Sequence, residues 1–214
     1  MVTAPMRSRA NTLENGARMT RFEFHRRYES SPVTHAELIE GVVYVSSPLR
    51  AEYHGRPESD LGTWLGTYRA EHPGLRSAHN STVLLDIDNE LQPDLCLWRE
   101  GGQARLDADG YIEGPPELVA EIAASSASID LHAKKTAYRR NGVLEYIVWR
   151  VLDGALDWFV LQEGDYVPLV PPAAGVLESR AFPGLRLAVG RLLEGDLAGV
   201  LAELGQPQGP LQQG

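Results

Sequence analysis

Residues 114–123 read Gly-Pro-Pro-Glu-Leu-Val-Ala-Glu-Ile-Ala. Gly114-Pro115-Pro116 punctuates the chain, since two prolines cannot continue a helix or a ladder. The run from Glu117 to Ala123 has the length and apolar content of a buried strand. Glu121 interrupts it. Side chains alternate along a strand, so Glu121 shares a face with Val119 and lies opposite Leu118, Ala120 and Ile122. A carboxylate there is costly to bury unless it is paired, hydrogen-bonded or metal-bound. The stretch thus predicts a core strand and a candidate functional acid together.

Ser128 to Asn141 follows as a predicted helix, with Ser128 or Asp130 as its cap and Gly142 as its end. Asp130, Lys134 and Tyr138 fall at i, i+4 and i+8, on one face. Leu144–Val151, Ala155–Leu161 and Tyr166–Val170 read as successive strands, turned at Asp153-Gly154 and Glu163-Gly164-Asp165. Leu187 to Leu204 reads as a closing amphipathic helix. Upstream, Phe22–Tyr28 is a short predicted helix and Ala36–Ser46 a strand kinked at Gly41. Glu52–Glu71 is a helix ended by Pro73-Gly74, with Ser81–Ile87 and Asp94–Trp98 as strands. Strands outnumber helices in the middle of the chain, which implies an α/β (α+β) domain around one twisted sheet.

Asp94 follows Pro93 and opens an apolar strand. Two carboxylates from neighbouring strands can hold Mg²⁺, which prefers oxygen ligands and keeps several waters. An ion held this way activates water and neutralises charge on a phosphodiester, while a nearby ammonium orients the water or stabilises developing negative charge. Asp94, Glu121 and Lys134 are therefore the set that metal-assisted phosphodiester hydrolysis needs. Structural alternatives exist for each: Asp94 as a turn cap, Glu121 paired with Arg139 or Arg140, Lys134 solvated beside Lys135. His54 could contact phosphate or cap a turn.

The pattern Glu37-Leu38-Ile39-Glu40-Gly41, Ser47-Pro48 with His54, Gln92-Pro93-Asp94, then residues 114–122, resembles the Uma2 (DUF820) family of restriction-endonuclease-like proteins, part of the PD-(D/E)xK nuclease superfamily. Asp130-xxx-Lys134-xxx-Tyr138, Gly142-Val143, Glu145-Tyr146 and Phe182-Pro183-Gly184-Leu185 continue it, over about residues 22 to 193. The resemblance implies a restriction-endonuclease-like core, a mixed β-sheet flanked by helices, and a Mg²⁺ (or Mn²⁺) site made by Asp94, Glu121 and the main-chain carbonyl of Ile122. It implies Lys134 as the lysine, moved from the usual place two residues after the acid, where this chain has Ala123. Lys135 is the fallback, and Glu37 the acid of the N-terminal segment. Ala124 replaces a usual Ser, so one hydroxyl near the site is lost. The implied activity is endonucleolytic cleavage of DNA. The alternative is a nuclease-like module that binds nucleic acid or protein without cutting.

The 214 residues suit one domain, expected over 19–204, with a flexible arm at 1–18 and a disordered tail at 205–214. One cysteine, Cys96, excludes an internal disulfide and a multi-thiolate zinc site. No apolar run suits a signal peptide or a membrane span, so a cytoplasmic chain with no membrane partner is expected. A homodimer is expected. The net charge of −9 argues against coating nucleic acid by bulk charge. Residues 1–30 hold six basic against three acidic groups, residues 31–150 hold 11 against 18, and residues 151–214 hold three against eight. The region with the candidate site is itself acidic.

Overall fold

The computed structural model describes residues 13–46, 50–172 and 175–204. The expectations for residues 1–12 and 205–214, and for Ser47-Pro48, fall outside the described residues. Two six-stranded mixed sheets and a two-stranded ribbon replace the single sheet expected from sequence. The first sheet runs β2 (Val42–Val45), β1 (Ala36–Ile39), β5 (Glu90–Leu91), β4 (Val83–Leu84), β8 (Ile112–Glu113), β7 (Arg105–Leu106). The second runs β12 (Asp165–Pro168), β11 (Ala155–Gln162), β10 (Glu145–Arg150), β9 (Leu118–Ala123), β6 (Leu95–Arg99), β3 (Leu75–His79). The chain visits the two sheets in alternation before settling into the second at β9.

β9 is central and buried along its whole length. It pairs in parallel with β10, Glu121 opposite Val148, and antiparallel with β6, Leu95 opposite Ala120. The expected alternation holds. Leu118, Ala120 and Ile122 join one core with Leu61, Trp64 and Leu65 of α2 (Arg56–Glu71). Val119 and Ala123 join the other, with Ala137 and Tyr138 of α4 (Lys135–Arg140) and with Ile39, Val83 and Leu91 of the first sheet. Glu121 therefore points into the seam between the two sheets, under the helix that follows it.

Several elements differ from expectation. Ala36–Ser46 is a hairpin, not one kinked strand, because Glu40 and Gly41 both take positive φ (51° and 72°) and reverse the chain. Residues 13–18, expected in the arm, lie against this hairpin: Leu13 is buried, and the Gly16 N–H donates to the Val43 carbonyl at 2.8 Å. The strand expected over Ser81–Ile87 shrinks to β4. The closing helix breaks at Gly195 (φ 79°) into α5 (Val189–Glu194) and α6 (Leu197–Ala202). Its first residues belong instead to β14 (Arg186–Ala188), paired with β13 (Val176–Glu178).

The helix after β9 starts at α3 (Ala127–Ile129) and widens into a π-helical turn over Asp130–Lys134 before α4. Ser128 and Asp130 sit within it rather than capping it. α2 is likewise preceded by a π-helical turn, Ala51–Gly55. Such turns re-aim side chains that a regular helix would point elsewhere. Asp130 and Lys134 are buried in one of these turns, and His54 in the other.

Candidate active site

Glu37, Asp94, Glu121 and Lys134 come from β1, the residue before β6, β9 and the second π-helical turn, and all four are buried. The Lys134 ammonium lies 2.9 Å from Glu37 Oε1, 3.0 Å from Glu121 Oε1 and 3.8 Å from Asp130 Oδ1. Glu37 Oε1 also accepts the Gln92 N–H at 2.8 Å, two residues before Asp94. Glu121 Oε1 accepts the Tyr138 hydroxyl proton at 2.8 Å. Asp94 Oδ2 accepts the Ile122 N–H at 2.6 Å, which docks the start of β6 beside Glu121. The N–H and C=O of one strand residue leave on the same side, so the Ile122 carbonyl also faces Asp94, past the point where the β6 ladder ends.

The structural alternatives go to other residues. Arg139 pairs with Asp165, and Arg140 with Glu40. Lys135 places its ammonium 3.5 Å from the centre of the Phe159 ring. The Cys96 thiol is buried, and burial pushes it up to about 12, an inert thiol rather than a nucleophile.

Three residues join the site that the sequence assigned to it weakly or not at all. Asp130 is buried, with Oδ2 accepting from Ser126 Oγ at 2.6 Å. Tyr138, expected to pack under the helix, also reaches Glu121. His54 has its Nε2 3.1 Å from Asp94 Oδ1 and 3.7 Å from Glu58 Oε2. That nitrogen is buried and faces the Asp94 carboxylate, with the Ile122 backbone also against the ring. Beside Glu58, a cavity of about 470 Å³ opens between α2 and β3, lined by Glu58, Ser59, Gly62 and His79.

The buried set carries four carboxylates, Glu37, Asp94, Glu121 and Asp130, against one ammonium and one imidazole. Burial raises the Glu121 carboxyl well above the usual range; Lys134 opposes this, while Asp94, Asp130 and Glu37 add to it. Burial likewise raises Asp130, against Lys134 and Ser126. Burial works against the Lys134 charge, but the surrounding carboxylates outweigh it and hold the ammonium protonated well above its ordinary value. The Asp94 carboxylate raises His54, against burial. This excess of buried negative charge, built from hard oxygen donors, suits a divalent cation. Among the described residues no three His, Cys, Asp or Glu side chains are already arranged to grip one. Two carboxylates and a carbonyl, completed by water, meet the lower demand of Mg²⁺.

The family model described as "Uma2: Putative restriction endonuclease" matches residues 22–190. Among solved structures, the fold is similar to the "crystal structure of a putative nuclease belonging to DUF820 from Anabaena variabilis", with a TM-score of 0.62 at 14% identity over 84% of this chain and 97% of that one. No curated protein matches the chain. No helix among the described residues is long and apolar enough to cross a membrane.

Proposed function

The chain belongs to the Uma2 family, and from that premise we propose that it is a divalent-metal-dependent endonuclease acting on DNA. The observation that carries this reading is the Lys134 ammonium, bonded to both Glu37 and Glu121 in a buried acidic site beside Asp94. Asp94, Glu121 and the Ile122 carbonyl would hold Mg²⁺ or Mn²⁺. A bound ion would supply a water of lowered pKa and neutralise phosphodiester charge.

The chain's own groups divide the remaining work. Lys134 stays protonated, so it acts as a hydrogen-bond donor that orients the attacking water and stabilises negative charge on phosphate, not as a base. Glu37 is a positioning residue: one oxygen serves both Lys134 and the Gln92 N–H, fixing the ammonium relative to Asp94. Tyr138 pins the Glu121 carboxylate. Net negative charge weakens non-specific grip on DNA, so engagement depends on the metal. A homodimer, whose second subunit adds its own N-terminal arginines, belongs to the same reading.

The test is cleavage of supercoiled plasmid with Mg²⁺ or Mn²⁺. Wild type should nick or linearise it, and Glu121→Ala and Lys134→Ala should lose that activity by 100-fold or more, on the order of what removing a charge-stabilising group costs. Cleavage that survives Glu121→Ala would overturn the assignment. A second reading, a nuclease-like binding module that does not cut, is favoured by the Lys134 ammonium, which already pairs with both Glu37 and Glu121 as a buried structural bridge would. It predicts DNA retention in a gel-shift assay by wild type and Glu121→Ala alike, with no cleavage by either.

A further inference from the structure

We propose that a second cavity, at the open end of the seam between the two sheets, binds one nucleotide of an unpaired DNA strand, its base inside and its phosphate on Arg69 and Arg76. The inference rests on the nuclease reading above and adds to it a form of substrate: single-stranded or locally unpaired DNA.

β3 ends the second sheet, and β7, beside β8, ends the first. Between these edges lies a cavity of about 330 Å³. That is the small end of the range for ligand pockets, room for a nucleotide and not for duplex. One half is apolar: Trp98 and Ile112 close the floor where the core around Val119 and Ala123 ends, and Leu106 stands half-exposed at the wall. The other half is cationic. Arg69 of α2 has no ion pair or side-chain hydrogen bond among the described residues. Arg76 of β3 gives only its Nε to Glu100, at 2.7 Å in an exposed pair, so its two amino groups are open to a ligand. Guanidinium forks match phosphate, and apolar and aromatic side chains cover the face of a base. A nucleotide carries both parts in one molecule.

The cavity is aligned with the candidate active site. Asp94, Cys96 and Trp98 alternate onto one face of β6, and four residues of strand span about 13 Å. A DNA strand rises about 3.4 Å per nucleotide in a duplex, so that span is about four nucleotides or fewer. Two cavities follow one another along α2 and β3, Arg69 and Arg76 at the first, Glu58 and His79 at the second. Glu58 in turn stands 3.7 Å from the His54 nitrogen that faces Asp94. Charge selects the form of DNA. Gripping a duplex takes many cations, and this chain has a net charge of −9. A buried base adds affinity that needs no positive charge. Extruding that base from a duplex costs its pairing and stacking, which an unpaired strand does not lose. Negative supercoiling favours strand opening, so a supercoiled plasmid still presents such stretches.

The experiment uses the full chain and fluorescence anisotropy of a short labelled single strand, with the duplex of the same sequence beside it, in Ca²⁺ to occupy the metal site. Wild type should bind the single strand about ten-fold or more tighter than the duplex, on the scale of one stacked base. Leu106→Asp, which charges the apolar half, and the pair Arg69→Ala with Arg76→Ala should each weaken the single strand by about ten-fold and the duplex by about two-fold or less. All three positions are exposed, so the fold should survive, and circular dichroism checks it. Thymidine monophosphate should compete with the single strand, and inorganic phosphate should not. Equal competition by phosphate would reduce the cavity to an anion site and overturn the proposal, as would a duplex bound as tightly as the single strand. Single-strand affinity unchanged in both variants, with plasmid cleavage still lost in Glu121→Ala, would overturn it while leaving the metal-dependent reading intact. Wild type that binds the single strand through this cavity yet cuts no DNA would overturn that reading and leave the cavity's ligand as assigned.

Discussion

Glu145 shows how one buried carboxylate can be wholly satisfied by the fold while Glu121, one strand away, is the acid proposed for the site. Glu145 Oε1 accepts the Arg180 and Ala181 N–H groups at 2.6 and 2.8 Å. Its Oε2 accepts from Ser179 Oγ at 2.8 Å and Trp158 Nε1 at 3.1 Å. With all four donors supplied, it needs no cation. Glu145→Ala should cost about 3 kcal/mol, because it leaves several buried donors unpaired; urea unfolding measures this, and a cost below 1 kcal/mol would contradict it. The sequence presented Glu145-Tyr146 and Phe182-Pro183-Gly184-Leu185 as separate pieces. The structure makes them one, with the strand carboxylate holding the loop that leads into the second piece. Asp94, Glu121 and Lys134 could be singled out from sequence because a charge inside an apolar strand and a lysine in phase with its helix are visible as pattern. His54 could not, since a lone histidine near a helix start has many ordinary explanations. Only the placement of its nitrogen against Asp94 distinguishes it.

Among the elements, β9 and its approach depend on Gly114. It sits at φ +87°, and a Cβ there would lie 2.5 Å from the Gln103 carbonyl oxygen, a backbone atom that cannot swing aside. Gly114→Ala should destabilise by about 2 kcal/mol or more, the combined cost of left-handed strain and overpacking; thermal melts report it, and an unchanged melting temperature would refute it. Gly62→Ala offers the contrast, since its Cβ would meet only the half-exposed, movable His79 ring. Strong periodic elements were readable: α2, β6, β9, β10 and β11 all fall where apolar spacing put them. Short elements were not. β3, β5, β7 and β8 hold two to five residues each, too few for a period to emerge, and tertiary pairing alone makes them strands. The hairpin at Glu40-Gly41 is not legible in sequence, because its strands are four residues long and a lone glycine reads equally well as a kink.

At the scale of the whole molecule, the buried acids leave a signature in stability. Glu121, Asp130 and Glu90 are raised mainly by burial, and His54 mainly by Asp94. A group whose pKa is raised by folding holds its proton more tightly in the folded state. The stability it contributes is full below the unfolded value and drains away as pH climbs through the folded one. All four shifts act in the same direction, the acids from the ordinary carboxyl range upward and His54 from 6.5 upward. Asp86, held below the usual carboxylate range despite its burial by bonds from Asp88, Asn141 and Asn89, opposes them only in stronger acid. Metal-free protein should therefore melt about 2–4 °C higher at pH 6 than at pH 8, the shift about 1 kcal/mol produces in a domain of this size. Scanning fluorimetry in chelator measures it, and a lower melting point at pH 6 would refute it.

The alternation of the chain between its two sheets has a kinetic side. Neither sheet can be completed while the other is open, because β4 and β5 of the first sheet fall between β3 and β6 of the second, and β7 and β8 fall between β6 and β9. Closing these long loops is entropically slow and repaid only late. The folding barrier should therefore be crossed once, by both sheets together. In native-state hydrogen exchange, amides of Leu38 in β1 and Tyr146 in β10 should open with one shared free energy; a distinctly lower value for either would show the sheets uncoupling. Lys134, which ties Glu37 of one sheet to Glu121 of the other, would then acquire both partners only after that barrier, making the site a late product of folding.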